Sequence, residues 1–235
     1  MESEGAGRRV VVTGAAGGIG RGIAPLLPGT WRVTATDLHP VDGMVSLDVT
    51  DVGACRAAFD GADAVVHLAA DPDPRAGWES LLPTNVVGAY AVAQAAADAG
   101  VRRLVLASSL QALSAAPGHT QLRPGDAPRP ADLYGATKAW AEALGSWVAA
   151  TSATTVVALR IGWFFPERPP SDVVPRERSA WLSPRDAAAL VRASVEAEVD
   201  GFVVVNGTSA NRYRRAELAE TTAAIGYEPV DDAWG

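Results

Sequence analysis

The chain has 235 residues, of which 48% are hydrophobic and 20% are charged, a composition typical of a globular protein and not of a disordered one. Its net charge of −7 argues against a nucleic-acid partner, because such partners are bound by basic surfaces. The single cysteine, Cys55, cannot form an internal disulfide, and the sequence has no recognisable signal peptide or membrane span. We therefore expect a cytoplasmic protein that has no membrane partner.

Apolar runs of strand length alternate with longer, Ala-rich stretches of helical character. This alternation is typical of βαβ units around a parallel sheet, and it predicts an α/β protein. The predicted strands are Arg9–Thr13, Trp31–Thr36, Met44–Leu47, Ala64–Leu68, Arg103–Ala107, Thr155–Arg160 and Phe202–Val205. The predicted helices are Gly18–Leu27, Val52–Phe59, Leu82–Ala99, Asp132–Ala150, Arg214–Ile225 and one that Ser183 caps and that ends near Glu196.

Two longer stretches, Leu110–Ala131 and Gly162–Leu182, have no clear period and are rich in Pro, Gly or charge. Both follow predicted strands. Ligands of open α/β sheets bind outside the carboxyl ends of the strands. We therefore expect these two stretches to form the walls of a substrate pocket.

A glycine-rich segment lies between the first strand and the first helix. Gly14, Gly17 and Gly20 have the spacing GxxGxxG, which allows a tight turn and a close approach of the backbone to a pyrophosphate at a helix N-terminus. Asp37 ends the second strand, where a carboxylate can accept hydrogen bonds from ribose hydroxyls and would repel a 2′-phosphate. The combination predicts NAD as the cofactor.

Tyr134 and Lys138 are four residues apart on a predicted helix, so their side chains share one face. Lys138 is the only lysine of the chain. A lysine cation beside a tyrosine, together with the positive nicotinamide of NAD⁺, favours the phenolate and would lower the pKa of Tyr134 from its ordinary value near 10. The pair Ser108-Ser109 ends the fifth strand, where a hydroxyl can hold a substrate oxygen against Tyr134. The sequence therefore predicts an acid–base site that contains Tyr134, Lys138 and a serine.

Together these motifs resemble the extended short-chain dehydrogenase/reductase family, the NAD-dependent epimerase/dehydratase group. Three further segments strengthen the likeness: His67-Leu68-Ala69-Ala70, Asn85-Val86-Val87-Gly88 and Leu133-Tyr134-Gly135-Ala136-Thr137-Lys138. The resemblance implies a Rossmann-type doubly wound parallel sheet with a small C-terminal substrate-binding region, divided at residues 1–160 and 161–235. It also implies that Tyr134 is the acid/base, that Lys138 tunes it and holds the ribose, and that Ser109 is the catalytic serine. The expected cofactor contacts are Gly14, Gly17, Gly18, Ile19, Gly20, Asp37, Asp48, Val49, Leu68, Ala69, Ala70, Asn85, Tyr134, Lys138 and Ile161.

Within this family, Leu159-Arg160-Ile161-Gly162 and the segment from Arg176 to Ser183 resemble the uronate dehydrogenases, which oxidise the anomeric hydroxyl of a hexuronic acid. The resemblance implies that Arg176 binds a substrate carboxylate, since a guanidinium can donate two parallel hydrogen bonds to it. The chain departs from that branch at Leu110 and Trp163, where the branch has polar residues. The expected substrate contacts are Asp73, Ser109, Leu110, Trp163 and Arg176.

These departures predict a substrate that is less polar than a hexuronate or differently shaped, because hydroxyls beside apolar side chains would stay unpaired. The run Trp163–Phe165 fits core packing as well as it fits a pocket wall. Asp73 belongs to a Pro-flanked acidic turn with Asp71, which is the other interpretation of that segment.

The leading functional hypothesis is hydride transfer between NAD and a secondary alcohol or lactol, such as a sugar acid. Two alternatives stay open: a redox-neutral epimerase or dehydratase with tightly bound NAD, and a non-catalytic NAD-sensing protein. No metal site is expected, because His39, His67 and His119 lack ligand spacing. The family resemblance also implies a homodimer formed by the helices Leu82–Ala99 and Asp132–Ala150.

Overall fold

The protein forms one seven-stranded parallel sheet in a computed structural model that describes residues 7–41 and 43–235. The strands along the sheet are β3 (Val45–Ser46), β2 (Arg32–Asp37), β1 (Arg9–Thr13), β4 (Ala64–His67), β5 (Arg103–Ser109), β6 (Thr155–Ile161) and β9 (Phe202–Gly207). This is the predicted doubly wound, Rossmann-type architecture. The order reverses between β1 and β4, so the carboxyl ends of these two strands frame the crevice where such sheets bind ligands.

Helices cover both faces of the sheet. They are α1 (Gly18–Ile23), α2 (Val52–Phe59), α3 (Trp78–Leu81), α4 (Ala89–Asp98), α5 (Leu133–Thr151), α6 (Pro175–Ser179), α7 (Pro184–Glu196) and α8 (Ala219–Ile225). Residues of α1, α7 and α8 pack with one face of the central strands, and residues of α2, α4 and α5 pack with the other. Because both faces are covered, the central strands are continuous apolar runs, as at Val10–Val12. No helix within the described residues is long and apolar enough to cross a bilayer.

The structure differs from the predicted helices at two places. The helix expected at Leu82–Ala99 begins earlier, at Trp78, and its segment Leu82–Gly88 is π-helical, with Pro83 at its start. Pro83 cannot donate a backbone hydrogen bond, which accounts for a break in the regular α-helical ladder there. The helix expected at Arg214–Ile225 is wrong in its first half, because the backbone of Arg215 and Ala216 pairs instead with Leu122.

The stretch Gly162–Leu182, expected to be irregular, contains a small second sheet and a helix. Strand β7 (Trp163–Phe164) pairs in parallel with β8 (Trp181–Leu182), and α6 lies between them. The stretch Leu110–Ala131 likewise begins with a short 3-10 helix at Leu110–Leu113. Both stretches follow the carboxyl ends of strands β5 and β6, so they extend from the same edge of the main sheet.

A buried ion pair joins α5 to β6. The Arg160 Nε and Nη2 atoms donate to Glu142 Oε1 and Oε2 at 2.8 and 2.9 Å, and Ser108 donates to Glu142 Oε1 at 2.6 Å. The side chains of Arg160 and Glu142 are only 2% and 6% exposed. Arg160 also donates to the carbonyl oxygens of Arg123, Pro124 and Asp126, which lie in the loop after β5. This network therefore fixes two strands, one helix and one wall of the expected pocket.

We predict that Glu142→Gln lowers the free energy of unfolding by about 3–5 kcal/mol, because the isosteric amide leaves the Arg160 charge buried and uncompensated. Urea denaturation of the wild type and the variant measures this loss. Glu220→Gln is the matched control, since Glu220 pairs with Arg123 at 3.6 Å on the surface and its loss should change stability by less than about 1 kcal/mol. Equal losses in the two variants would contradict the prediction.

Candidate active site

The turn between β1 and α1 requires glycine at its first position. Gly14 has a φ of +70°, and a Cβ there would lie 2.5 Å from the backbone nitrogen of Ala69. Gly20 is equally confined, since a Cβ there would lie 2.5 Å from the Ala15 carbonyl oxygen. Around Gly18, in contrast, a Cβ would meet nothing within 4 Å. The loop is thus packed on its inner side and open on its outer side, at the N-terminus of α1, where a phosphate can approach the backbone.

The Asp37 carboxylate supports this glycine loop from the end of β2. Its Oδ2 accepts the Ala16 N–H at 3.0 Å, and its Oδ1 accepts the His39 N–H at 3.0 Å. Each carboxylate oxygen keeps acceptor capacity beyond these bonds. Asp37 is half-buried, so it is positioned to receive ribose hydroxyls beside the phosphate-binding loop.

The other residues expected near the cofactor lie along the same edge of the sheet. Asp48 is exposed after β3, and hydrogen bonds from Thr50 lower its pKa. Val49 is buried next to it and contacts Gly88. Leu68, Ala69 and Ala70 follow β4 and are half-buried, whereas Ile161 is buried at the end of β6, where it pairs with Ser109. All of them therefore lie after or at the carboxyl ends of strands β3, β4 and β6.

Tyr134, Lys138 and Ser109 come together at the carboxyl end of β5. The Lys138 Nζ lies 5.4 Å from the centre of the Tyr134 ring and donates to the Ala107 carbonyl at 2.9 Å. Asp132 begins α5 by accepting the Gly135 N–H at 2.7 Å, which fixes the turn that carries Tyr134. The Ser109 hydroxyl donates to the Ile161 carbonyl at 3.4 Å and lies near enough to Tyr134 to lower the pKa of that tyrosine against the effect of burial. The arrangement can hold an oxygen atom of a substrate between a serine and a tyrosine hydroxyl.

The two serines at the end of β5 have different partners. Ser108 is bound to Glu142 on one face of the sheet. Ser109 accepts the Gln111 N–H at 3.1 Å and lies on the opposite side, by Tyr134. The alternation of side chains along a strand separates the two roles, so only Ser109 faces the acid–base pair.

Burial dominates the acid–base properties of the pair. Burial raises the pKa of Tyr134 to about 12, with the nearby Ser109 hydroxyl opposing the shift and the charges of Asp132 and Asp71 adding to it. Burial also lowers the pKa of Lys138 to about 8. In the protein without cofactor, desolvation of the phenolate therefore outweighs any lowering of the Tyr134 pKa, and the expected lowering by Lys138 together with the nicotinamide charge stays a prediction for the NAD⁺ complex.

A buried amide, Asn85, connects this turn to the loop after β4. Asn85 Nδ2 donates to Thr137 Oγ1 at 3.2 Å and to the Asp71 carbonyl at 3.0 Å, and Asn85 Oδ1 accepts the Asp71 N–H at 2.8 Å. The sequence predicted Asn85 as a cofactor contact but did not indicate its bond to Thr137, although Thr137 is part of the motif that ends in Lys138. His67 is a second missed residue: it is buried against Thr13, and burial lowers its pKa to about 3, which keeps its imidazole neutral.

The residues expected to bind the substrate lie in different surroundings. Leu110 is half-buried directly after Ser109. Asp73 is engaged by Arg75, which donates to it from its backbone, Nε and Nη2. Arg176 is exposed on α6, and its charge adds to burial in lowering the pKa of Arg215.

The aromatic run after β6 divides between the core and the surface. The Phe164 ring packs against Gly22 of α1 and belongs to the core cluster of that face. The Trp163 and Phe165 rings stack on each other with centres 5.2 Å apart and remain partly exposed. Core packing therefore describes Phe164, and only Trp163 and Phe165 are available to line a pocket.

The family model described as "NAD dependent epimerase/dehydratase family" matches residues 10–212 of the chain. The chain belongs to this family. It is therefore an NAD-dependent oxidoreductase of the short-chain dehydrogenase/reductase type, and NAD is its cofactor. The glycine turn and Asp37 fit this cofactor, since the turn is closed by backbone on its inner side, open on the outer side, and bordered by a carboxylate with acceptor capacity to spare.

Three comparisons place the chain within the family. It is 38% identical to an L-arabinose 1-dehydrogenase (NAD(P)(+)) of Haloferax volcanii, with 96% of this chain and 97% of that protein covered. It is 34% identical to an NAD-dependent glucose-6-phosphate dehydrogenase of the same organism, with 95% and 94% covered. Among solved structures, it superposes with a TM-score of 0.84 on a variant of the uronate dehydrogenase from Agrobacterium tumefaciens complexed with NAD, at 31% identity and with 97% and 87% covered. The predicted likeness to uronate dehydrogenases is confirmed, and it extends to other sugar dehydrogenases.

We predict that Gly14→Ala weakens NADH binding about tenfold or more, a loss of about 1.4 kcal/mol, because the new Cβ forces the Ala69 backbone away from the turn. Gly100→Ala is the matched control: Gly100 also has a positive φ, +65°, but a Cβ there would meet nothing within 4 Å. Both variants carry the cost of about 1–2 kcal/mol for a left-handed non-glycine residue. Fluorescence titration with NADH should show a lower affinity for Gly14→Ala and an unchanged affinity for Gly100→Ala. Equal affinities of the two variants would contradict the role of the turn.

Proposed function

We propose that this protein is an NAD-dependent sugar dehydrogenase that oxidises the anomeric hydroxyl of an aldose or sugar acid to a lactone. One observation carries the proposal: the Nζ atom of the only lysine of the chain lies 5.4 Å from the centre of the Tyr134 ring, and Ser109 is near enough to that tyrosine to lower its pKa, at the strand edge beside the glycine loop. The names of the relatives at 38% and 34% identity and of the solved structure at 31% identity supply the substrate class.

Each residue has a distinct role in this proposal. Tyr134 takes the proton of the substrate hydroxyl, and Ser109 holds the same oxygen by a hydrogen bond. Bound NAD⁺ supplies the hydride acceptor, and its positive charge favours the Tyr134 phenolate where burial alone raises the pKa to about 12. Lys138 binds the ribose, and its positive charge, 5.4 Å from the centre of the Tyr134 ring, stabilises the phenolate.

Apolar side chains in the pocket walls favour a substrate that has fewer polar groups on one side than a hexuronate. Leu110 follows Ser109, and Trp163 stacks with Phe165 on the other wall, so an apolar face of a sugar ring can lie against them. Arg176 adds an exposed cation whose charge acts on Arg215, and Arg215 is fixed by three carbonyl oxygens, at Ala116, Pro117 and Thr120. Positive charges in this region favour an anionic group of the substrate, such as a carboxylate or phosphate at the far end of the sugar.

We also propose which segments bind the cofactor and the substrate, and that the protein is a homodimer. Residues 1–160 bind NAD, and residues 161–235 form the walls of the substrate pocket and complete the sheet with β9.

Two aromatic side chains are exposed on α4 and α5: the rings of Tyr90 and Trp147 stack with their centres 6.2 Å apart. This apolar face supports a homodimer formed through these two helices. The single cysteine, Cys55, is buried and unpaired, which suits a cytoplasmic enzyme.

The function is tested by following NADH formation from NAD⁺ with a panel of neutral aldoses, aldose phosphates, uronic acids and apolar secondary alcohols. We expect stoichiometric NADH with at least one sugar, and a loss of kcat of about 10²–10⁴-fold in Tyr134→Phe with NADH affinity retained. Binding of NADH without turnover of any sugar would contradict the proposal. Epimerised or dehydrated sugar without net NADH would support the redox-neutral alternative.

The dimer is tested by measuring the molar mass of the protein with light scattering after size-exclusion chromatography. Trp147→Glu places a charge in the exposed aromatic face, so we expect a shift from dimer to monomer. Tyr213→Glu is the control, because Tyr213 is a still more exposed aromatic residue outside α4 and α5. A Trp147→Glu protein that remains dimeric would place the interface elsewhere.

A further inference from the structure

The backbone of Asp71 is clamped by a buried side chain. Its N–H donates to Asn85 Oδ1 at 2.8 Å and its carbonyl accepts from Asn85 Nδ2 at 3.0 Å, while Asn85 itself is only 4% exposed. Two hydrogen bonds to one planar amide fix both the position and the orientation of a residue. The loop after β4 is therefore held rigidly at Asp71, although it lies at the surface of the cleft.

The same amide ties Asp71 to the catalytic helix. Asn85 also donates to Thr137 Oγ1 at 3.2 Å, and Thr137 Oγ1 donates to the Tyr134 carbonyl at 2.7 Å. Asp71 and the turn that carries Tyr134 are thus two ends of one short hydrogen-bond chain. Consistent with this proximity, the charge of Asp71 adds to burial in raising the pKa of Tyr134.

The Asp71 carboxylate is available, whereas that of Asp73 is not. Asp71 Oδ1 accepts the Asp73 N–H at 3.0 Å and Oδ2 accepts the Ser80 hydroxyl. Within residues 7–41 and 43–235, no Arg or Lys nitrogen lies within 4.0 Å of it. Asp73 is instead engaged by three Arg75 donors on the solvent side. An ionised carboxylate accepts several hydrogen bonds and keeps two acceptor positions here.

We propose that Asp71, and not Asp73, determines specificity by accepting a hydrogen bond from the substrate hydroxyl next to the reacting carbon. This rests on the proposed function, because the reacting hydroxyl is the one that Tyr134 deprotonates. A hydrogen bond from a hydroxyl to a carboxylate is among the stronger polar contacts, and a fixed negative charge repels a carboxylate or phosphate at the same place. Asp71 therefore selects sugars with a free hydroxyl at the carbon adjacent to the anomeric one, and any acidic group must lie at the other end.

The test compares wild type, Asp71→Asn and Asp73→Asn on the best aldose of the panel and on its 2-deoxy analogue. Asn at position 71 keeps both local contacts, since its Oδ1 can accept the Asp73 N–H and its Nδ2 can donate to Ser80. At a pH above the acidic limb of both proteins, we expect Asp71→Asn to lower kcat/KM for the parent sugar on the order of 10- to 100-fold and to leave that for the 2-deoxy sugar nearly unchanged. Asp73→Asn should resemble the wild type with both sugars.

A pH profile supplies a readout that a structural defect would not move. The groups that face Tyr134 are Asp71, Asp132, Ser109 and Lys138. Removing the Asp71 charge lowers the pKa of Tyr134, so the acidic limb of kcat for oxidation should move to lower pH in Asp71→Asn and stay in place in Asp73→Asn.

Three results would overturn the proposal. Asp71→Asn could match the wild type with both sugars, or it could lose both sugars equally together with NADH affinity, which would indicate a structural role. If the wild type oxidises no aldose, the proposed function fails as well, and this outcome is distinguished by the inactivity of all three proteins.

Discussion

The buried contact of Glu142 with Arg160 is the interaction on which the geometry of the site depends. Glu142 lies one helical turn after Lys138 on α5, and its other hydrogen bond goes to Ser108, the neighbour of Ser109. Arg160 precedes Ile161 at the end of β6 and holds three carbonyl oxygens of the loop after β5. The acid–base helix, the serine strand and one pocket wall are therefore fixed by a single pair of charges. Such a pair tolerates little change, because either charge alone would be buried without a partner.

A second constraint acts on the opposite side of the cleft, where the glycine turn after β1 meets the backbone after β4. Gly14 leaves no room for a side chain there, so strands β1 and β4 bring their loops into direct contact at the point where the sheet order reverses. The cofactor groove and the acid–base pair then share one edge. Asn85 bridges the two, since it holds Asp71 on the loop after β4 and Thr137 beside Lys138. The glycine turn, the loop after β4 and the acid–base helix are thus joined by direct contacts.

The sequence predicted the elements whose pattern is local and strong. Strand β1 and helix α2 have the predicted bounds, since a run of valines between two arginines and a glycine-rich turn, and a helix capped by Asp51, are strong local patterns. The helix at Arg214 failed because its first residues pair with Leu122, some ninety positions away, and no local signal reports such a contact. The rise in the pKa of Tyr134 that burial causes could not be predicted either. It depends on how deeply the ring is buried, which is a property of the packed molecule. Likewise, the clamp of Asn85 on Asp71 joins residues whose proximity follows only from the fold.

The most direct test of the account is the fate of a deuterium atom placed at the anomeric carbon of the best aldose substrate. Net hydride transfer from this carbon predicts NADH that carries one deuterium, detected by mass spectrometry, together with a lactone that carries none. NADH without the label would contradict oxidation at the anomeric carbon. A sugar that keeps or regains the label without net NADH would show that the protein uses NAD for redox-neutral chemistry instead.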